Sequence, residues 1–390
     1  MEIQVRDLKS IIATARKLGA SRVASIRSAD GRAAFAMTPT VSDRRWQHAA
    51  TAVLVTPPSA RGDALGVTVD VKALSDAVSA VGWDGPSSVL TLEDAEADRV
   101  RVANEFSGHR IASDARDVAQ VGAPFALDMC EPEKGTTTAK ADALARGLMH
   151  VRSAASKDET RYNLTGALFS ADGAIVATDG HRLNVADSPF KGDQLAGAVM
   201  PRAALDLVLD RIATPAKRKA IDNRVRGWRN AGRRFIEIGS VVVAWEPLAE
   251  EPDYPNWQQV RGDGHAVACD EISADKLAEI ADRCAAAAGR DAAPIVLDFM
   301  PGGGIAVRLG ESWGDNAGET VGHVDSGALQ SDQLRDGIAV DARYIVDALI
   351  PFYRQAVTLR AAPRDASWSP LRFEADGIGA YSVVMPMRRS

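Results

Sequence analysis

Three stretches of this chain open in the same way. Gly66-Val67-Thr68-Val69-Asp70, Gly197-Ala198-Val199-Met200-Pro201 and Gly337-Ile338-Ala339-Val340-Asp341 each place a glycine ahead of a short apolar run and a residue suited to opening a helix. Counting from Asp70, Pro201 and Asp341, apolar residues recur four, seven, eight and eleven positions later, the spacing of one helical face. They are Leu74, Ala77, Val78 and Val81; Leu205, Val208, Leu209 and Ile212; and Ile345, Ala348, Leu349 and Phe352. A second amphipathic helix leads each unit, marked by Leu8, Ile11 and Ile12, by Leu144 and Leu148, and by Leu277, Ile280 and Ala281. The units begin roughly 130 residues apart, which points to a weak threefold internal repeat, the alternative being three unrelated domains whose helices match by chance.

Between these helices lie strand-like stretches: Ala52 to Val55, Val89 to Leu92, Ala174 to Thr178, Phe235 to Ile238, Ser240 to Trp245, Ile295 to Phe299, Ala356 to Leu359 and Tyr381 to Met385. Two helices and several mostly antiparallel strands per unit predict an α+β fold in which helices cover one face of a sheet. A length of 390 residues agrees, because single cores seldom grow past about 250 residues. With 46% hydrophobic and 25% charged residues and no long apolar run, the composition is that of a globular protein without a membrane span. The N-terminus, Met1 to Arg6, lacks the pattern of a secretory signal, so a cytoplasmic location is expected. Cys130, Cys269 and Cys284 are too few and too scattered for a disulfide framework or a zinc site, and read as buried or neutral thiols. A net charge of -6 disfavours nucleic-acid binding over the whole surface and leaves room only for a local basic face.

Arg161 to Leu183, RYNLTGALFSADGAIVATDGHRL, contains the most specific motif, Ala177-Thr178-Asp179-Gly180-His181-Arg182-Leu183. Asp179 and His181 are a possible acid-base or metal pair. No second cluster accompanies them: the six histidines lack metal-helix spacing, and there is no Walker loop, nucleophile elbow or dinucleotide glycine fingerprint. Thr178-Asp179-Gly180 also reads as a tight turn, with Asp accepting from backbone amides and Gly supplying positive φ. The segment resembles the middle domain of the bacterial DNA polymerase III beta subunit, the beta sliding clamp. Tyr254 to Val260, YPNWQQV, is similar to that family's loop between second and third domains, Tyr381 to Arg388, YSVVMPMR, to its C-terminal strand and tail, and Gly337 to Phe352 to its last inner helix. The likeness is good over about residues 140 to 264 and 337 to 390 and poor over the first domain.

The resemblance implies three clamp-type domains, 1–123, 124–263 and 264–390, closing as a head-to-tail homodimer into a ring with helices inside. It implies a non-catalytic processivity factor without cofactor or metal. Its partners would be encircled double-stranded DNA, the DNA polymerase III alpha subunit, the clamp loader and other proteins carrying a clamp-binding motif. A phage-encoded or accessory clamp fits the divergent first domain, and an enzyme built on the Asp179 and His181 loop is the reading from another class. Carried over by motif, the peptide pocket comprises Leu164, Thr178, Gly180, His181, Arg182, Leu183, Pro255, Val260, Val383, Met385, Pro386, Met387 and Arg388. Gln259 stands where the family usually has arginine, and Pro370 where a small hydroxyl residue can sit. DNA-facing candidates on the repeated helices are Lys9, Arg16, Lys17, Lys72, Lys140, Arg146, Arg152, Arg202, Arg211, Lys276, Arg283, Arg343 and Arg354. Lys217, Arg218, Lys219, Arg224, Arg226, Arg229, Arg233 and Arg234 form the strongest basic run, read either as a DNA-facing loop or as an exposed linker. At the ring interface the expected contacts are Ile111, Ala286 and Ala287, in the last case from an alanine-rich helix that buries little area.

Overall fold

A computed structural model describes residues 1–27, 32–38, 51–81, 85, 88–95, 98–114, 118, 121, 132–262, 265–289, 292–329, 337–361 and 370–387. The chain divides into two compact units, Met1–Ala145 with Pro189–Glu250, and Arg146–Ser188 with Glu251–Ser390. Its helices include α1 (Val5–Leu18), α2 (Val71–Val81), α3 (Ala141–Arg152), α4 (Arg202–Ile212), α5 (Pro215–Lys219), α6 (Ala274–Ala288) and α7 (Ala342–Leu349). The fold class is α+β with antiparallel sheets, as the repeat predicts.

The repeat fixes the entry into α2, α4 and α7. Gly66, Gly197 and Gly337 all take positive φ, at 66°, 75° and 70°, so each glycine supplies the left-handed residue that turns the chain into the following strand. The strand then delivers its last residue as a helix start. Asp70 Oδ1 accepts from the Ala73 amide at 2.8 Å and Asp341 Oδ1 from the Arg343 amide at 3.0 Å. Pro201 caps nothing with its side chain. Every apolar residue predicted for the three helical faces is buried, although Phe352 belongs to a short 3-10 turn, Ile350–Phe352, beyond α7. A Cβ at Gly66 would meet no atom within 4 Å, so Gly66→Ala isolates the backbone cost. Urea unfolding should show a loss of about 1–2 kcal/mol.

In the first unit a 12-stranded sheet runs in the order Glu2–Gln4, Val89–Ala95, Arg99–Ala103, Gly108–Asp114, Thr68–Asp70, Arg22–Arg27, Ala33–Met37, Thr51–Val55, Val241–Trp245, Arg233–Ile238, Arg224–Asn230, Thr137–Lys140. The join between early and late segments is the pairing of Thr51–Val55 with Val241–Trp245, in register from Thr51 opposite Trp245 to Val55 opposite Val241. Both strands are almost wholly apolar, which makes the join part of the core. Trp228 stacks on Phe235 with centroids 5.2 Å apart, over a bed of Ala24, Ala34, Ala36 and Ala52 whose small side chains leave room for the rings.

In the second unit the strands Gly166–Phe169, Ala174–Thr178, Arg182–Asp187, Ala380–Val384, Leu371–Glu374, Ala356–Ala361 and Ala266–Ser273 follow one another, and a separate sheet orders Thr320–Val324, Ile305–Leu309, Pro294–Phe299 and Ile338–Asp341. Helices α6 and α7 pack together on this core through Leu277, Ile280, Ala281, Ile345 and Leu349. Cys269 and Cys284 are buried, and burial pushes both thiols up, so they are poor nucleophiles. Cys130 lies outside the described residues.

The basic run from Lys217 to Arg234 is neither a loop nor a linker. It folds as α5 and the hairpin of Arg224–Asn230 with Arg233–Ile238. Most of its charges have internal partners: Arg218 donates to the carbonyls of Ile212 and Ala213 at the end of α4, at 2.8 and 2.9 Å. Arg226 pairs with Glu237, Arg229 with Asp193, Arg233 with Glu246 and Arg234 with Glu250.

Candidate functional site

The motif around Asp179 is a hairpin turn between strands Ala174–Thr178 and Arg182–Asp187. Asp179 Oδ1 accepts from the amides of His181 and Arg182 at 2.9 and 3.1 Å, and Thr178 Oγ1 accepts from the Gly180 amide at 3.1 Å while donating to the Arg182 carbonyl at 2.7 Å. Gly180 has φ 90°, as the turn requires. The Asp179 carboxylate is thus spent on the turn and on Arg182 Nε at 3.1 Å. His181 does not face it as an acid-base partner, because its ring stacks on Tyr344, with centroids 5.8 Å apart and planes 11° from parallel.

Arg182 is the anchor of the site. Its side chain is only 9% exposed and is held by Asp179, by Asp347 of α7, and by the Ser153 carbonyl at 2.6 Å, while its guanidinium lies 4.9 Å from the Tyr344 ring centroid. Tyr344 and Asp347 were not predicted. Tyr344 stands between Arg343 and Ile345 and Asp347 between Val346 and Ala348 in the repeated helix, and only its packing beside the turn brings them to Arg182. Burial, with the Asp179 carboxylate nearby, raises the Tyr344 phenol above its ordinary value.

The two sequence-distant motif segments are neighbours. Strand Arg182–Asp187 pairs with Ala380–Val384, placing Leu183 opposite Val383 and Arg182 opposite Val384. The tail continues the contact: the Met385 amide donates to the His181 carbonyl at 2.9 Å, and the Met387 amide to the Ala339 carbonyl at 2.7 Å. A third segment joins from the loop. Tyr254 is buried beside Thr178 and Asp179, and that burial raises its phenol. Arg161 Nη1 donates to the Asp179 carbonyl at 3.1 Å, and Asn163 Nδ2 to the Asp253 carbonyl at 3.1 Å, tying the turn carrying buried Leu164 to both. Leu183 and Val383 are core residues, whereas Met385, Pro386, Met387 and Val260 are half-buried and His181, Gly180 and Pro255 exposed. Arg388 lies outside the described residues. What remains accessible is therefore an apolar, methionine-rich margin around one immobilised arginine, chemistry suited to an extended peptide. No group of metal-ligating side chains is found among the described residues, and among them no helix is long and apolar enough to cross a membrane.

No protein-family model matches the sequence, and no curated protein matches it either. Solved structures do. The chain is similar to the DNA polymerase III subunit beta of Pseudomonas aeruginosa, at 18% identity and a TM-score of 0.74 over 100% of this chain and 99% of that one. The fold is that of a sliding clamp. The beta subunit of Thermotoga maritima aligns with a TM-score of 0.70 at 17% identity, covering 100% of this chain and 99% of its own. A sliding clamp of Bartonella birtlesii bound to griselimycin aligns at 0.71 and 18%, with both chains covered to 100%.

The clamp fold makes the position of each candidate cation informative. Helices α1, α2, α3, α4, α6 and α7 carry twelve lysines and arginines against nine acids, so their surplus of positive charge is small. Several cations are matched locally: Lys17 with Asp210 at 2.6 Å, Lys276 with Asp325 at 2.8 Å, Arg283 with Glu279 at 2.8 Å, Arg343 with Asp341 at 2.7 Å and, loosely, Arg202 with Asp206 at 3.9 Å. Arg16 donates to Ser75 Oγ at 2.8 Å, and half-buried Arg211 donates to Thr14 Oγ1, its guanidinium pulled down by burial. Lys9, Lys72, Lys140, Arg146, Arg152 and Arg354 are exposed, with Arg354 resting over Tyr353. Of the interface candidates, Ala286 and Ala287 are exposed on α6, but Ile111 is 5% exposed, paired with Val100 inside its own unit. The hairpin that ends strand Arg99–Ala103 instead presents Phe106, 84% exposed.

Proposed function

We propose that this chain is a DNA sliding clamp, a non-enzymatic ring that holds duplex DNA topologically and recruits polymerase and repair proteins through the site around Arg182. The observation carrying this reading is the hydrogen-bonded meeting of the Asp179-Gly180-His181-Arg182-Leu183 turn with the Met385-Pro386-Met387 tail, in a fold matched to clamps over its full length. Three repeated domains, 1–123, 124–263 and 264–390, would close head to tail as a homodimer in the cytoplasm. Phe106 and the exposed face of α6 are the surfaces we assign to ring closure, and an exposed phenylalanine offers far more apolar area there than the alanines do.

The decisive experiment is retention on DNA. Loaded onto a nicked circle by a clamp loader, the protein should persist in moderate salt and leave when the circle is linearised. Equal retention on both forms would defeat the ring. A second experiment addresses the peptide site. Truncation after Val384, which removes the half-buried Met385, Pro386 and Met387, and Leu183→Ala, which opens the core beside Val383, should each weaken a polymerase-derived peptide by tenfold or more. Dimer mass in a dilution series should be unchanged. Calorimetry with unaltered peptide affinity in both variants would place the partner site elsewhere.

A further inference from the structure

A recess of about 690 Å³ opens in the first unit, at the end of the long sheet, between the edge strand Thr137–Lys140 and the turn Asp222-Asn223-Arg224. Lys140, Lys191 and Arg224 all line it, and all three are exposed. Lys140 and Arg224 are direct cross-strand partners, and the Thr137 hydroxyl donates to the Lys191 carbonyl at 2.8 Å, fixing the third cation on the same rim. In the neighbouring hairpin, Arg226, Arg229, Arg233 and Arg234 each have a carboxylate. Among the described residues Lys140, Lys191 and Arg224 have none, although Asp222 lines the same recess. One carboxylate against three cations leaves the rim with a net positive charge, and an anion relieves that excess. The first two amides of α3 are already taken, because Asn223 accepts from the Asp142 amide and, through its carbonyl, from that of Ala141.

We propose that this recess binds phosphate groups, held by Lys140, Lys191 and Arg224, with the Thr136 and Thr138 hydroxyls supplying further donors. A planar guanidinium, two ammonium groups and hydroxyls match the several acceptor oxygens of phosphate better than the two of a carboxylate. The volume exceeds that of a single phosphate, so the fitting ligands are a diphosphate or consecutive phosphates of a nucleic-acid backbone. The inference stands apart from ring closure, and its test uses linear DNA so that the two fail separately.

The full chain would be titrated at low salt with inorganic pyrophosphate by calorimetry and with a short linear duplex by fluorescence anisotropy. The Lys140→Ala, Lys191→Ala, Arg224→Ala triple variant should lose pyrophosphate affinity by on the order of tenfold or more, since hydrogen bonds to charged groups are the strong ones. If backbone phosphates are the ligand, the triple variant's salt slope for duplex binding falls by about 2.7, three contacts at ~0.9 each. If only free phosphate compounds bind, pyrophosphate responds and the duplex does not. Lys191→Arg should retain binding, and Arg99→Ala with Lys157→Ala, elsewhere on the surface, should leave it intact. The proposal is overturned if wild-type protein binds neither probe, if the triple variant matches wild type with both, if the remote pair causes the same loss, or if a polyglutamate peptide competes as well as pyrophosphate does.

Discussion

Replacing Arg182 with alanine should destabilise the protein by on the order of 3–5 kcal/mol in urea unfolding and abolish measurable binding of a polymerase-derived peptide. Arg182 is 9% exposed and is the shared partner of Asp179, Asp347 and the Ser153 carbonyl. Its removal leaves two carboxylates without their cation and a carbonyl without its donor, and such orphaned groups cost more than the pair contributes when intact. Arg182→Lys should recover little, because a point ammonium cannot meet three acceptors in different directions and lie against the Tyr344 ring at once. Asp347→Asn, removing one partner from the more exposed end, should cost far less. A loss of under about 1 kcal/mol for Arg182→Ala would mean the network is not what holds the turn.

Acid should loosen the same region through His150. Its ring is 3% exposed, bonded through Nε2 to the Tyr381 carbonyl at 2.9 Å and set edge-on to Phe352 at 5.6 Å. Burial depresses its pKa from 6.5 to about 4, the Tyr381 carbonyl offsetting only part of that. The unfolded chain therefore binds more protons than the folded one between those two values, and stability rises with pH across that window. The contribution is fully present above about pH 6.5 and is lost as pH falls toward 4, amounting to about 3 kcal/mol in all. His150→Gln removes the titration, so its unfolding free energy should change less with pH over that interval than wild type does. Parallel pH profiles for the two proteins would assign the acid sensitivity to another group.

The helices were legible in the sequence because their signal is local. A positive-φ glycine, an apolar run, a helix start and a 3.6-residue period all fall within twenty-odd residues, and each of the three copies reads alike. Strand positions were legible for the same reason, but their partners were not. Nothing near Thr51 announces that its strand pairs with one ending at Trp245. The site divides along the same line. Asp179 and Gly180 declared a turn by their own chemistry, whereas Tyr344 and Asp347 became visible only once α7 was placed beside it. Charge was read least well: a sequence supplies the cations but not their partners, so the run ending at Arg234 looked like a free basic surface when four of its arginines face carboxylates. Ile111 looked available and is enclosed, while Phe106 stands out in solvent.

The pairing of Thr51–Val55 with Val241–Trp245 has a consequence for how such a chain can be divided. Repetition in sequence suggests modules that could be cut apart and recombined, yet the sheet passes through the boundary between the first two repeats without interruption. A fragment ending at residue 123 would carry Thr51–Val55 as a bare edge of unsatisfied amides and valines, the kind of surface that recruits other chains into aggregates. The remainder would expose Val241–Trp245 with Trp245, wholly enclosed in the intact chain, at its rim. Two copies of the pattern share one sheet, so the piece that repeats in sequence is smaller than the piece whose strand edges are covered.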